Sequence, residues 1–420
     1  MRRCVLYVNL RRIPREGFES LLAARRLGYD VVAIARAGMV PDWARPLVDD
    51  LTVVDTFDLD ASLAAARELA ARHPVHGVAN WTEIDVELVA HIARELDLPG
   101  IAPEAARRCR NKFAMKQALA HLDGVLPRFA RVTSLDELER AIATIGYPAV
   151  VKPTGGSGSK GIFELHGPDD LEPAVQHLLR IAQPDFDAVF RQFPGELIVE
   201  EFLEGDEFSV EAFVQDGSVE IVGVTDKVTS PGFHLELRHV FPSGLDPSAL
   251  AVIEEGTRLV ATTLGMDFCS VHLEAKLGKR GFRFIEVAAR PAGDYIATHV
   301  VPLASGVPYF ENVVRVAVGL PLAIEPTLSF VAGVRFALAD RPGIFQRVDG
   351  VEELLERPGY DHVFLEVPTG SEVKLPPEYF TSQRVAAVIG HHPDREPLLD
   401  LLDDGVARLR PVVEGSLVTA

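Results

Sequence analysis

The sequence predicts a multidomain protein of α/β and α+β class, with a parallel sheet in its N-terminal part and an antiparallel sheet after it. The chain has 420 residues, more than one compact core normally holds. Residues 1 to about 105 alternate strand and helix patterns, which is typical of a parallel sheet covered by helices. From residue 149 onward, short strands are joined by glycine-containing turns, which favours antiparallel pairing.

The first predicted domain covers residues 1–108. Its strands are predicted at 5–8, 31–35, 51–54 and 75–79, with helices over 17–27, 62–72 and 86–96. The turn after the first strand has no Gly-x-Gly-x-x-Gly motif, which a dinucleotide-binding domain would carry there. We therefore expect this domain to shape a substrate pocket and not to bind NAD.

The second predicted domain covers 109–330, with a lid at about 130–203 and a catalytic sheet at about 204–330, and the third covers 331–420. Helices are predicted over 106–122 and 135–145. Strands are predicted at 149–153, 161–165, 197–201, 208–214, 219–224, 270–277 and 282–287. The third domain is predicted to be a small mixed subdomain that ends in a helix.

Charge and composition exclude several classes of protein. The net charge is −19, which gives little attraction for nucleic acid or an anionic membrane, and aromatic residues make up only 7%. No apolar stretch approaches the length of a membrane span. Three widely separated cysteines predict neither a disulfide framework nor a zinc ribbon. A cytoplasmic enzyme is expected.

A glycine-rich loop at 155–161 carries the strongest local signal. Its glycines allow backbone N–H groups to approach an anion closely, while its serines and lysine add further donors. Because strand patterns lie on both sides, the loop is neither a Rossmann turn nor a P-loop. We expect a flap that closes over phosphates, with a simple hairpin turn as the alternative.

Two lysines and a group of acids accompany this loop. Lys152 lies in an apolar strand and must face a cavity or a partner, because burying an unpaired ammonium group is costly. Lys112 could converge with it on a polyphosphate or simply lie on a solvated helix face. Glu200 and Glu201 end a strand, where backbone groups could bind an adenine edge, and Glu207 could accept hydrogen bonds from ribose hydroxyls. A solvated acidic turn is equally compatible with these acids.

A predicted hairpin places Glu274 and Glu286 opposite each other. With the turn centred on Arg280, both carboxylates lie on one face of the sheet, about 5 Å apart. At an effective dielectric near 20 they repel by roughly 3 kcal/mol. A shared proton, a neighbouring cation or a divalent metal must offset this repulsion, and an oxygen-only pair suits Mg²⁺ completed by phosphate. A register slip of one residue would separate the pair.

The order of these motifs resembles the ATP-grasp superfamily, and within it the carboxylate–amine ligases that include L-amino-acid (dipeptide) ligases. The matching stretches are 110–115, 147–153, 155–161, 199–207, 272–274 and 284–290. The resemblance implies an ATP-grasp fold with an N-terminal parallel-sheet domain (the pre-ATP-grasp domain), an ATP-binding lid, an antiparallel catalytic sheet and a small C-terminal subdomain.

The resemblance also implies roles for individual residues. Glu274 and Glu286 would hold magnesium, with Mn²⁺ as a substitute, and Arg290 would be the catalytic residue that stabilises developing negative charge, although it could instead pair with an acid. The implied ATP-binding residues are Lys112, Lys152, Gly156, Ser157, Gly158, Ser159, Glu200, Glu201, Phe202, Leu203 and Glu207. The reaction it implies phosphorylates a carboxylate with ATP and lets an amine attack the acyl phosphate.

The segment 230–243 resembles the substrate loop of the dipeptide ligases. The substrate candidates are His234, Glu236, Arg238, His239 and His272, with solvated histidines as the alternative. Ala288 stands where many ATP-grasp enzymes have a metal-binding Asn, and Ala292 replaces a frequent Gly.

Three functions remain open at this point. The first is an ATP-dependent ligase for small-molecule carboxylate and amine substrates, expected to be a homodimer without nucleic-acid or membrane partners. The second is a bicarbonate-using carboxylase or carbamoyl-type enzyme. The third, suggested by Ala288, is a nucleotide-binding regulator without turnover.

Overall fold

The fold is described by a computed structural model that covers residues 3–11, 13–379 and 382–415. The ends of the predicted first and third domains, residues 1–2 and 416–420, lie outside these described residues. Within the described ranges, no helix is both long enough and apolar enough to cross a membrane.

The N-terminal part is a parallel sheet, as predicted, and its four strands lie in the order β3-β2-β1-β4. Its strands are β1 (Cys4–Val8), β2 (Asp30–Ala35), β3 (Asp50–Val53) and β4 (Val75–Ala79), and its helices are α1 (Pro14–Arg26), α2 (Leu59–Arg72) and α3 (Val86–Glu95). Strands β1 and β2 are almost fully buried, because helices cover both faces of the sheet.

The basic helix predicted over 106–122 is wrong as one element, because it divides into α4 (Pro103–Arg110) and α5 (Lys112–Ala118). Asn111 has an extended backbone between them, and its side chain accepts hydrogen bonds from the N–H groups of Phe113 and Ala114. This is the geometry of a helix N-cap. Lys112 is therefore the first residue of a new helix.

The lid is a four-stranded antiparallel sheet in the order β5-β8-β6-β7, with two helices packed on it. Its elements are β5 (Phe129–Val132), α6 (Leu135–Ile145), β6 (Ala149–Pro153), β7 (Phe163–Leu165), α7 (Leu171–Ile181) and β8 (Leu197–Glu201). The glycine-rich loop joins the antiparallel strands β6 and β7, and β7 begins two residues later than predicted.

The catalytic sheet begins with five strands and one long helix. These are β9 (Asp206–Gln215), β10 (Ser218–Thr229), β11 (Glu236–Phe241), α8 (Pro247–Leu264), β12 (Cys269–Gly278) and β13 (Gly281–Ala288). Strand β11 lies within the segment 230–243, so the loop predicted there is partly a strand. Apolar side chains of α8 pack against β9, β12 and β13 in one core.

The remaining elements extend this sheet and add a second, smaller one. They are α9 (Val301–Ser305), α10 (Tyr309–Ala317), β14 (Val331–Leu338), β15 (Gly343–Asp349), α11 (Val351–Leu355), β16 (Tyr360–Leu365), β17 (Glu372–Val373), β18 (Arg384–His392), α12 (Arg395–Arg408) and β19 (Arg410–Glu414). The large sheet has the order β13-β12-β9-β10-β11-β14-β18-β16, and the small one β17-β15-β19. Strands from both sides of residue 330 thus share one sheet, and the domain boundaries stay predictions.

Candidate active site

A cavity of about 370 Å³ lies between the N-terminal part, the lid and the large sheet. Every predicted site residue lines this cavity except Arg238. The N-terminal part adds a group without a sequence signal for this site, namely Arg11, Glu16, Trp81 and Glu83. Residues that are far apart in the sequence thus form one concave site of the size that small ligands occupy.

Arg238 is not brought to the cavity, so its assignment as a substrate candidate is corrected. The register of β10 and β11 shifts between the pairs Val228–Arg238 and Thr229–Glu236, which leaves Leu237 as a bulge. A bulge interrupts the two-residue alternation of a strand. Glu236 and His239 consequently line the cavity, while the guanidinium of Arg238 lies 3.5 Å from Asp403.

Glu274 and Glu286 are cross-strand partners in the β12–β13 hairpin, as predicted. The route to this pairing differs from the expected one. The strands pair Gly278 with Gly281, so the turn is not centred on Arg280 alone, and the register shifts by one residue between Glu274 and Ala275. This shift at Ile285 restores the pair that a uniform register would have lost.

Neighbouring lysines provide the positive charge that this carboxylate pair requires. Lys227 Nζ lies 2.9 Å from Glu274, and Lys112 Nζ lies 3.0 Å from Glu286. Although burial would raise the pKa of the Glu274 carboxyl, the Lys227 ammonium and the His272 imidazole hold it well below its usual value. Both acids line the cavity with their neighbouring lysines, so an incoming cation would compete with the lysines for them.

A buried pair of lysines flanks Glu200. Its two carboxylate oxygens lie 2.8 Å from Lys116 Nζ and 2.9 Å from Lys152 Nζ. Burial opposes ionisation of Glu200, but the two ammonium groups lower its pKa to about 2. Burial lowers the pKa of Lys116 to about 8, while Glu200 and other acids raise that of Lys152 despite its burial. Lys152 is thus a paired, charged residue at the cavity wall, as its apolar strand required.

The glycine-rich loop folds back toward the cavity. Lys112 Nζ donates to the Gly156 carbonyl at 2.5 Å, which ties the loop to α5. Ser159 has a left-handed backbone (φ 55°), and its hydroxyl lies 2.7 Å from the His234 carbonyl and 2.9 Å from Glu236 Oε1. The loop and Lys112 therefore line the cavity side by side.

The segment Glu200 to Leu203 at the end of β8, here called the hinge, supplies Glu201, Phe202 and Leu203 to the cavity lining. The Glu201 carboxylate points to Arg280 at 2.8 Å, and the Phe202 ring lies 5.2 Å from Lys276 Nζ. Glu207 lies 3.0 Å from Lys227. The hinge thus contributes to the cavity lining, while the Glu201 carboxylate binds Arg280 of the β12–β13 turn.

His272 lies beside the carboxylate pair and is bonded to a buried acid. Its Nδ1 lies 3.0 Å from Glu211 Oε1, and its Nε2 lies 3.3 Å from Glu274 Oε1. Burial would lower the pKa of His272, but Glu211 and the hydrogen bonds to both acids raise it to about 9. Its cross-strand partner is Ala288, the position where the resemblance to ATP-grasp enzymes implies a metal-binding Asn.

The other substrate candidates and Arg290 have protein partners. His234 Nε2 lies 3.0 Å from Glu164 in the lid, and His239 Nε2 lies 3.2 Å from Asp294. The guanidinium of Arg290 donates to Glu83 at 2.8 Å. Arg290 is therefore paired with an acid and also lines the cavity, which combines the two alternatives drawn from the sequence.

Several site residues were missed at the level of sequence, although some carried a usable signal. Lys116 lies four residues after Lys112, on the same helical face. Lys227 and Glu211 are charged residues within apolar strands, the same feature that identified Lys152. Glu83 lies in a loop segment without such a pattern, and only the fold brings it to Arg290.

The donor set fits a magnesium–nucleotide complex. Among the described residues, no group of three or more His, Cys, Asp or Glu side chains could enclose a metal ion. The protein would supply the oxygens of Glu274 and Glu286, and phosphate oxygens would complete the shell, as is usual for Mg²⁺. The lysines and the loop lie on the same cavity and suit the phosphates.

Three protein families match successive parts of the chain. The ATP-grasp N-terminal domain matches residues 18–100, the ATP-grasp domain matches 145–299, and the L-amino acid ligase C-terminal domain 2 matches 335–414. The cavity is lined by side chains from the first two matched regions, among them Glu83 and Glu274, and by Arg11, Glu16 and Lys112, which lie outside the matched regions.

The chain is also similar to individual proteins and to solved structures. An uncharacterized protein, y4rH of Sinorhizobium fredii, is 27% identical over 89% of this chain and 76% of its own length. The alanine–anticapsin ligase of Bacillus subtilis is 30% identical over 54% of this chain, and the match spans only 50% of that ligase. The crystal structure of an L-amino acid ligase from Bacillus licheniformis superposes with a TM-score of 0.81 at 22% identity, covering 99% of both chains.

Proposed function

This chain belongs to the ATP-grasp superfamily, with ATP-grasp domains followed by an L-amino acid ligase C-terminal domain, and from this we propose that it joins a carboxylate to an amine at the expense of ATP. The products would be an amide, ADP and phosphate. The observation that carries the proposal is the cross-strand pair of Glu274 and Glu286, which lines the same cavity as the glycine-rich loop.

Each part of the site has a task in this reaction. Lys112 and Lys152 would neutralise the phosphates of ATP, and Gly156, Ser157, Gly158 and Ser159 would cover them. The hinge residues Glu200 to Leu203 would hold the adenine, with Glu207 on the ribose. Glu274 and Glu286 would bind Mg²⁺, which draws negative charge from the phosphoryl group during its transfer.

Phosphorylation of the acid replaces a poor leaving group by phosphate. The substrate carboxylate oxygen would bond to the γ-phosphorus while the bond to ADP breaks. The amine nitrogen would then attack the carbonyl carbon, and the bridging oxygen would leave with phosphate. Arg290 lies near the carboxylate pair and would stabilise negative charge on the acyl oxygen.

We propose amino acids as the substrates. The ligase relatives support this class, since their names specify alanine and L-amino acids. His234, Glu236, His239 and His272 line the cavity and would contact the amino or carboxylate groups. A homodimer, and Mn²⁺ as a substitute metal, belong to the same proposal.

The test is a pairwise screen that measures ADP and phosphate release for L-amino acids, with mass spectrometry of the products. The proposal expects nucleotide turnover only when an acid and an amine are both present, with a product lighter than the two substrates by one water. Bicarbonate-dependent turnover without an amino acid would indicate a carboxylase. Binding of Mg-ATP without turnover on any pair would indicate a regulator.

A further inference from the structure

A buried arginine from the C-terminal part of the chain contacts acids that line the cavity. This residue is Arg384, the first residue of β18. We propose that Arg384 is a positioning residue for the amino-acid substrate and that it acts through Asp294. The inference rests on the proposed function, because it assigns Arg384 to the substrate of that reaction.

Arg384 fixes the carboxylate of Asp294 by two parallel hydrogen bonds. Its Nη1 donates to Asp294 Oδ2 at 2.8 Å, and its Nη2 donates to Oδ1 at 2.7 Å. A bidentate contact of this kind sets the orientation of a carboxylate as well as its charge. His239 Nε2 lies 3.2 Å from Oδ2 and restrains the same group from the cavity side.

Asp294 itself lines the cavity, four residues after Arg290. Its backbone is left-handed (φ 53°), and so is that of the following Tyr295 (φ 62°). Such conformations are unfavourable for residues with a β-carbon and persist only where surrounding contacts impose them. Several of the contacts around this segment come from the C-terminal strands.

Two such contacts accompany the Arg384 pair. The Tyr295 ring stacks on Phe364 of β16 with ring centres 5.0 Å apart, and its hydroxyl donates to Glu366. Glu366 in turn lies 3.7 Å from the Arg384 guanidinium. One arginine therefore joins both residues of the left-handed segment to the end of the large sheet.

Arg384 also approaches a second cavity acid, because its Nη1 lies 3.8 Å from Glu236. Glu236 contacts Ser159 of the glycine-rich loop. Replacing the arginine would leave these acids without their shared cation. Lysine would restore a point charge but could not form the two-pronged contact.

The experiment measures steady-state kinetics for Arg384→Gln and Arg384→Lys, using the amino-acid pair that gives the highest turnover in the screen. We expect KM for at least one amino acid to rise tenfold or more, while KM for ATP changes less than twofold. The matched control is Arg335→Gln, on the neighbouring strand β14, whose guanidinium pairs with the half-exposed Asp403 outside the cavity. Equal changes in both KM values, or equal behaviour of Arg384→Gln and Arg335→Gln, would overturn the inference.

A second variant separates positioning from a loss of fold. Asp294→Asn keeps the arginine and removes the charge that it binds. If Arg384 acts through Asp294, the double variant Arg384→Gln/Asp294→Asn raises the amino-acid KM by no more than the larger single effect. Multiplication of the two single effects would contradict this route.

A binding measurement that does not require ligation tests the role of Arg384 separately from the proposed function. Calorimetric titration of each L-amino acid, in the presence of Mg²⁺ and a non-hydrolysable ATP analogue, measures substrate affinity directly. Failure of the ligation screen alone contradicts the proposed function. Unchanged amino-acid affinity in Arg384→Gln, or no amino-acid binding by the wild-type protein, contradicts the role of Arg384.

Discussion

The proposed chemistry of this cavity depends on single charged residues, and a substitution of Glu286 tests it most simply. It faces Glu274 across the hairpin and is held by Lys112. We expect Glu286→Gln to lower turnover by roughly 10²–10³-fold, because a proposed metal ligand loses its charge while the side chain keeps its size. Phosphate release measures this loss.

The control for that substitution is Glu255→Gln, which makes the same chemical change on the exposed face of α8. It is expected to leave turnover unchanged. A Glu286→Gln protein as active as the Glu255→Gln protein would remove Glu286 from the metal site.

A buried histidine outside the site should make the stability of the protein depend on pH. His299 packs against His362 and Phe364, and burial, with a smaller effect of nearby charge, lowers its pKa to about 3. Between pH 3 and its unfolded value near 6.5, the unfolded chain binds the proton more readily, so acid destabilises the fold. Between pH 7.5 and 5, the wild type should lose about 2 kcal/mol more unfolding free energy than His299→Phe.

Urea unfolding of both proteins at several pH values measures this difference. Other titrating groups are common to the two proteins and largely cancel. A stability gap that stays constant from pH 7.5 to 5 would show that the pKa of His299 is not lowered.

At the scale of elements, the break between α4 and α5 sets the position of Lys112. The Asn111 side chain caps α5, and its amide also donates to Glu196 of the lid at 2.6 Å. We expect Asn111→Ala to cost about 1 kcal/mol of stability through the lost cap. It should also raise KM for ATP severalfold, because Lys112 begins the helix that loses its cap.

Ser134→Ala is the matched control, since Ser134 caps α6 by accepting from the Glu137 N–H group. That helix covers the lid sheet and does not line the cavity. A similar loss of stability without a change in KM for ATP is expected. Equal KM values for the two variants would contradict the positioning of Lys112 by its cap.

The strands and turns also show which parts of the fold the sequence patterns could predict. Alternation and glycine turns predicted the parallel sheet, the lid hairpin and the pairing of Glu274 with Glu286. The bulges at Leu237 and Ile285 were not predictable, because a one-residue insertion leaves no mark in hydrophobic spacing. They excluded Arg238 from the cavity and preserved the carboxylate pair.

Residues brought in from distant segments were likewise beyond prediction. Arg11 and Glu83 lie in segments between regular elements, where no period relates them to the cavity. Arg384 lies more than 90 residues after the last predicted site residue, and only the continuation of the large sheet through β14 and β18 brings it to Asp294. Such contacts depend on topology and not on local pattern.

At the scale of the whole molecule, the cavity joins three parts of the chain, so its ligand should stabilise all of them together. A ligand at a hundred times its dissociation constant adds about 2.7 kcal/mol to the stability of the form that binds it. We expect ATP with Mg²⁺ to raise the melting temperature, and removal of the metal with EDTA to reduce the rise. An identical rise in the presence and absence of Mg²⁺ would contradict a metal-bridged nucleotide.

The central claim is that ATP phosphorylates the substrate carboxylate, and oxygen isotopes test it most directly. The protein is supplied with ATP, Mg²⁺, an amine and an amino acid labelled with ¹⁸O in both carboxylate oxygens. We expect one ¹⁸O atom in each released phosphate, because the bridging oxygen of the acyl phosphate leaves with phosphorus. Amide formation that releases unlabelled phosphate, or that places the label in AMP, would contradict it.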